Sequence, residues 1–172
     1  IVINKRTFKK MLMEIRRIEA GDEAGITKLV LEVYKEASFA TTFEKEPNPE
    51  DINSIVKEKL WMVASGDAAD YVAVESGELI GECEAIKDGS TGKVGILVAK
   101  GHRKKGIGST LLRKCEEDAR KIGITKLVAE IASINSAAIS FFVGFGFAIK
   151  GEGYPKAGAI NVVRAEKEIA KG

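Results

Sequence analysis

Val98-Ala99-Lys100-Gly101-His102-Arg103-Lys104-Lys105-Gly106-Ile107-Gly108-Ser109 is the stretch on which the fold turns. The apolar run KVGILVA (93–99) reads as a strand that ends at Val98-Ala99. A basic, glycine-containing turn follows, and a helix opens after it. Helix N-termini present unpaired N–H groups and the positive end of the dipole, so a strand-turn-helix of this kind is a ready anion site. Gly106 and Gly108 let the backbone approach a ligand with no side chain in the way. Two familiar phosphate motifs fail here. Gly101 and Gly106 have the gap of a P-loop, but Ile107 stands where Lys is required. A dinucleotide fingerprint starting at Gly106 would need Gly or Ala at position 111, which is Leu. What remains is Arg-x-x-Gly-x-Gly, as Arg103 to Gly108. A merely solvated basic turn is the plain alternative.

Outward from this turn, Leu111, Leu112, Cys115, Ala119 and Ile122 fall on one helical face, with Glu116–Arg120 and Glu117–Lys121 pairs on the other and Gly123 as the stop. KLVAEIA (126–132) follows as a buried-looking strand. A short helix is predicted from a Ser136 cap through Val143, ended by Gly144, and then two strands, FAIKG and AINVVRAE. Upstream, IRRIEA predicts a strand. Asp22 offers the cap of a helix whose apolar face is Ile26, Leu29, Val30, Val33, Tyr34 and Ala37. Asn48-Pro49-Glu50-Asp51 starts a second helix with Ile52, Ile55, Val56, Leu60 and Val63 inward. YVAVE and ELIGECEAI, split by Ser76-Gly77, read as a hairpin. Gly95 inside its strand suggests a bulge or a close approach. The order β-α-α-β-β-β-α-β-α-β-β implies an α/β (α+β) domain: a mixed, mostly antiparallel sheet of about seven strands flanked by helices.

The chain has 172 residues, 45% of them apolar, which suits one domain with a full core. Residues 1–12 read as a leader or vector-derived segment, with Met11 or Met13 as the start, and 13–172 as the single domain. The net charge of +2 gives no global pull toward nucleic acid or an anionic membrane, and no apolar run approaches the ~18 residues of a membrane span. Two cysteines, Cys83 and Cys115, and one histidine, His102, exclude a disulfide framework and a Cys/His zinc site, and suit a reducing, cytoplasmic setting. Residues 100–126 carry nine Lys/Arg against three acids, a local excess of +6. No aromatic residues interleave this patch, which argues against RNA stacking.

Downstream of the glycine turn, Asn135 precedes Ala138-Ile139-Ser140-Phe141-Phe142-Val143-Gly144-Phe145-Gly146-Phe147. Taken with Arg103 to Gly108 after a strand, this resembles the GCN5-related N-acetyltransferase (GNAT) superfamily, closely over 94–147 and in element order over about 14–168. The resemblance implies acetyl-CoA as co-substrate and no metal. Its pyrophosphate would sit on Arg103, Lys104, Lys105, Gly106, Ile107, Gly108 and Ser109. Its pantetheine arm would lie along Ile96, Leu97 and Val98, with Asn135 and Phe142 nearby. The Val98 N–H would face the thioester oxygen, a fixed dipole where negative charge develops. The chain departs from the family at Phe142, where many members have a Tyr that protonates the leaving thiolate; Tyr154 is a substitute candidate. Dimers are common in the family.

The acceptor the resemblance implies is an amine, which must lose a proton before attack. KVGILV offers no base, so the candidates are Glu82 and Glu84, which share a face of the neighbouring strand, and Glu130 among apolar residues of KLVAEIA. For Glu130 the plain alternative is a pair with a neighbouring Lys. His102, in the phosphate turn, reads as a solvated side chain. Residues 32–58 carry seven acids and three bases, an excess of −4 that favours a cationic acceptor, polyamine-like or a basic peptide, with Phe39, Phe43 and Trp61 as apolar wall. The competing function is an acyl-CoA sensor without turnover, for which Phe142 speaks.

Overall fold

The computed structural model describes residues 13–152 and 161–169. The segment 1–12 and Tyr154 lie outside the described residues. The elements follow the predicted order: β1 (Met13–Arg17), α1 (Glu23–Glu36), α2 (Pro49–Ser65), β2 (Ala68–Glu75), β3 (Glu78–Asp88), β4 (Thr91–Val98), α3 (Ile107–Lys121), β5 (Lys126–Ala132), α4 (Ser136–Gly144), β6 (Ala148–Glu152) and β7 (Val162–Glu168). Short 3-10 turns occupy Ser38–Ala40 and Lys100–His102. The strands form one seven-stranded sheet in the order β1-β2-β3-β4-β5-β7-β6. Each neighbouring pair is antiparallel except β4 with β5, which is parallel.

Local chemistry explains most of the boundaries. Asn48 caps α2 by accepting from the N–H groups of Glu50 and Asp51, Pro49 sits in the first turn, and Gly66 closes the helix at φ +81°. Two expected caps are corrected. Asp22 does not cap α1; both its oxygens are taken by the Arg16 guanidinium at 2.8 Å, a bidentate pair stronger than one N–H contact. Asn135, not Ser136, caps α4, accepting from the Ala138 N–H at 3.1 Å. That helix runs through Gly144, and Gly146 takes the left-handed turn after it. Gly95 lies in regular register opposite Glu84, so it forms no bulge; the irregularity falls in the β2–β3 hairpin, between Ala73 and Val74.

The sheet separates two cores. On one face α3 and α4 pack Leu111, Leu112, Cys115, Phe142 and Phe147 onto Cys83, Ala85, Leu127 and Ala165. On the other, α1 and α2 bring Ile26, Val30, Ile52 and Val56 onto Ile18 and Val72. Fully burying each such aliphatic side chain contributes about 1.5–3 kcal/mol. Both cysteines are buried core residues with free thiols.

The parallel contact between β4 and β5 is short. It links Thr91 to Lys126, Gly92 to Leu127 and Lys93 to Val128, and goes no further, while β4 stays paired to β3 as far as Val98. Beyond Lys93 the two strands part and leave an edge of β4 open. Gly92 sits at the last close contact: a Cβ there would lie 2.9–3.0 Å from Ile124 and Leu127 side-chain atoms. Gly92→Val should therefore cost about 1–3 kcal/mol through overpacking, measured by urea unfolding.

Candidate functional site

The glycine turn has the geometry of an anion site. Gly106 is the residue before α3 and holds φ +82°, and Lys104 holds φ +59°, both in the left-handed region. The first intrahelical bond runs from the Thr110 N–H to the Gly106 carbonyl, so the N–H groups of Ile107, Gly108 and Ser109 have no partner within the helix. Lys104 and Lys105 are exposed at the rim. Gly108 faces inward instead, and a Cβ there would touch Ile96 and Phe141 at 3.4–3.5 Å.

The Arg103 side chain is not free at the rim. Its guanidinium grips both oxygens of Glu36, the last residue of α1, at 2.8–2.9 Å, and its Nε donates to the Val98 carbonyl at 2.8 Å. This strut ties the end of β4 to α1. It also bears on the peptide edge of Val98. Ala99 donates its N–H to the Ile80 carbonyl at 2.9 Å. Alternation along the strand then turns the N–H groups of Val98 and Ile96 away from β3, into the opening beside β5. Asn135 caps α4, the helix that follows β5. Phe142 is buried against Phe141 and Phe147, with ring centroids 5.4 and 4.9 Å away.

On the other face of the sheet, a cavity of about 140 Å³ lies between α1, α2 and the β3–β4 hairpin. Ile26, Val30, Ile52 and Val56 make it apolar, the 40–43 segment closes it, Glu82, Glu84, Gly95 and Leu97 form its sheet-side wall, and Lys59 reaches that wall from α2. Of the three expected wall aromatics only Phe43 lines it; Phe39 does not, and Trp61 is 67% exposed. Lys59 Nζ sits 2.8 Å from Glu82 Oε1 and 2.6 Å from Glu84 Oε2. Glu82 is buried, while Glu84 is partly open, and its Oε1 lies 3.3 Å from where a Gly95 Cβ would stand. Gly95 is thus the close approach the sequence suggested: its missing side chain lets the Glu84 carboxylate lean across β4.

Behind these groups stands Asp70 on β2, opposite Glu84 in register and 1% exposed. Oxygens of Asp70, Glu82 and Glu84 all lie within 4.8 Å of one another. Burial pushes the Asp70 carboxyl well up, the Glu82 charge adds to this, and Lys59 opposes it. Burial likewise raises Glu82 against the pull of Lys59. Burial alone would weaken the hold of Lys59 on its proton, but the charges of Glu82, Glu84 and Asp70 outweigh it and keep the ammonium far above the usual lysine range. Lys59 and Asp70 were absent from the sequence candidates. Their signal was present: Lys59 lies on the stripe Ile52, Val56, Leu60, Val63, and Asp70 alternates with the buried Val72.

Glu130 lies outside the cavity lining and pairs with Lys93, Oε2 to Nζ at 3.3 Å. His102 is not fully solvated; its Nδ1 is 3.3 Å from Glu75. The acidic run 32–58 is partly neutralised from outside, since Glu36 meets Arg103, while the Glu46–Lys35 pair lies within its count. No helix among the described residues is long and apolar enough to cross a membrane.

A family model described as acetyltransferase (GNAT) family matches residues 30–147. Streptothricin acetyltransferase from Streptomyces lavendulae is 38% identical over 88 residues, which is 51% of this chain and 42% of that protein; the chain thus spans under half the length of the curated relative it matches. An acetyltransferase of the GNAT family from Streptococcus pneumoniae superposes with a TM-score of 0.78 at 23% identity, covering 92% of this chain and all of that one. A phosphinothricin acetyltransferase from Sinorhizobium meliloti, solved with acetyl-CoA, gives 0.77 at 20% identity over 94% and 91%.

Removing the ammonium from this wall would leave its carboxylates uncompensated. Lys59→Met should cost about 3–5 kcal/mol at neutral pH in denaturant unfolding. A lysine held above its ordinary pKa stabilises throughout the range below about 10, so the wild-type contribution is constant there; the variant's deficit should shrink toward pH 4 as its carboxylates take up protons.

Proposed function

The chain belongs to the acetyltransferase (GNAT) family, and on that premise we propose that it transfers an acetyl group from acetyl-CoA to a cationic primary amine by direct attack. The observation that carries this is the pairing of two features across β4. On one side is an open strand edge with the Val98 N–H; on the other, a small apolar cavity has Glu84 leaning over Gly95. Acetyl-CoA supplies the activated thioester, and the residues present fit it. The bare first turn of α3 and the left-handed Gly106 suit the pyrophosphate, Lys104 and Lys105 suit its charge, and the β4 edge suits an amide-bearing arm.

In this reading the acceptor ammonium enters the cavity and gives a proton to Glu84, the more open of the two wall glutamates. The neutral nitrogen then attacks the acetyl carbon while the Val98 N–H steadies the developing oxyanion. The C–S bond breaks as the C–N bond forms, and the nitrogen's second proton leaves to the thiolate or to water. Neither Phe142, which has no hydroxyl, nor Glu130, which lies outside the cavity lining, acts on the proton. A thiol pKa of ~8.5 makes the thiolate an acceptable leaving group without a built-in acid.

The cavity favours a slim alkylammonium arm. Its volume is close to the ~150 Å³ of an engineered cavity that admits benzene, which suits one chain or side chain and not a bulky ring. A curated relative is named for streptothricin and a neighbour in fold for phosphinothricin, and a lysine side chain of a basic peptide also has the slim alkylammonium shape this reading calls for.

Two measurements test this. In an amine panel read by CoA thiol release, alkylamines and polyamines should outrun acidic amines, with a preference that fades as salt shortens the Debye length from ~30 Å at 0.01 M to ~8 Å at 0.15 M. Glu84→Gln should lower kcat about 10²–10⁴-fold while acetyl-CoA binding persists. Binding without turnover of any amine would replace this reading with that of a sensor. For the co-substrate site, acetyl-CoA should raise the Tm of the wild type, and Gly106→Val should abolish the rise, since valine strains at φ +82° and projects toward the bound phosphates.

A further inference from the structure

We infer that Asp70 is a neutral carboxylic acid in the folded protein, and that it acts as a positioning residue for the two glutamates that share Lys59, so that the cavity carries a single excess negative charge. The inference deepens the proposed function and rests on it for the role of Glu84.

Geometry carries the first half. Three carboxyl groups lie within 4.8 Å of one another, and one ammonium, Lys59, stands among them. Lys59 reaches Glu82 and Glu84, while both oxygens of Asp70 are buried with no donor. Three ionised carboxylates around one cation, two of them buried, are not tolerated; one carries a proton. The group without a donor, deepest in the sheet, is the one that gains most by having an O–H of its own to give. The neighbouring elements offer Asp70 no other charge among the described residues. From α2 comes Lys59, from β3 Glu82, Glu84 and the Cys83 thiol, and from α3 the Cys115 thiol, which bonds to the Ala69 carbonyl. The β1 side offers only the Ile18 N–H, which is bonded to the Asp70 carbonyl. The Arg17–Asp118–Tyr71 cluster lies on the opposite face.

The second half follows from charge counting. With Asp70 neutral, Lys59 offsets one of the two glutamates it touches, and the Glu82–Lys59–Glu84 group presents one net negative charge to the cavity. A site with one excess charge suits an acceptor with one ammonium at its reacting end. With Asp70 ionised the site would carry two.

The decisive experiment compares the wild type with Asp70→Asn, an isostere of the neutral acid that keeps a donor, in urea unfolding from pH 4 to 8. A carboxyl whose pKa is raised on folding stabilises the fold below its unfolded value and loses that contribution as pH rises toward its folded value. The two proteins should therefore match near pH 4. Above it the variant should gain, its unfolding constant falling relative to wild type by up to tenfold per pH unit, and by at least tenfold at pH 7. A variant less stable than wild type at pH 7, with a deficit that shrinks toward acid, would show an ionised, paired Asp70 and overturn the inference; so would equal stability at every pH. These readouts need no substrate, so they stand even if no amine is acetylated. The positioning role is read in activity. Asp70→Ala, with no donor, should lose about tenfold in kcat/KM for an alkylamine and move the acid limb of its pH profile, and Asp70→Asn should restore most of both. Loss in Asn as deep as in Ala would overturn that role. Should the Ala protein not fold, the Asn unfolding series decides alone.

Discussion

Everything at this site depends on β4 and β5 parting after three residue pairs. A parallel strand that stayed paired along its length would spend the N–H groups of Ile96 and Val98 on its neighbour. Because the pairing stops at Lys93, those groups face an opening. The glycine turn places the N-terminus of α3 at the head of that opening, and Arg103 fixes the Val98 peptide from the far end. Gly92 sets the limit of the closed part, since its lack of a side chain lets Ile124 and Leu127 meet there. The anion site, the open edge and the acceptor cavity are thus three consequences of one interrupted ladder.

Charge is arranged around this opening with more economy than the sequence totals suggest. Within the +6 stretch of residues 100–126, Arg120 meets Glu116 and Lys121 meets Asp118, acids already counted in that excess, while Arg103 is taken by Glu36 from outside it. What remains near the turn is Lys100, Lys104 and Lys105. The acidic run 32–58 is likewise thinned by pairing, and the negative character of the acceptor side comes instead from β3, where Glu84 and Glu82 face a mostly apolar wall. In such a wall a charge is felt at close range, because little water is present to screen it.

The order of elements was legible in the sequence because each has a strong local signature: the Asn48-Pro49 cap, the Ser76-Gly77 hairpin, the apolar stripe of α3. The two misplaced caps failed for a shared reason. Asp22 and Ser136 have suitable chemistry, but a partner elsewhere won: Arg16 captured Asp22, and Asn135, one residue earlier, reached Ala138. The glycine turn was readable because its function is backbone geometry at adjacent positions. The acceptor wall was only half readable. Glu82 and Glu84 share a strand face, but their meeting with Lys59 and Asp70 depends on how α2 lies on the sheet, which no local pattern encodes. Glu130 looked like a cleft residue because alternation buries it, and its pairing with Lys93 is visible only once β4 and β5 are side by side.

The sheet is also a partition between two kinds of evolutionary freedom. The larger core, under α3 and α4, supports the turn and the open edge; the smaller one, under α1 and α2, shapes the cavity. Substitutions in one have few shared neighbours with the other, so their energetic effects add and do not compound. A lineage can redraw the residues around Ile52, Val56 and Phe43 without disturbing Leu111 or Phe142. Structures that share this fold at 20–23% identity show how much of the sequence such a scaffold leaves free to vary.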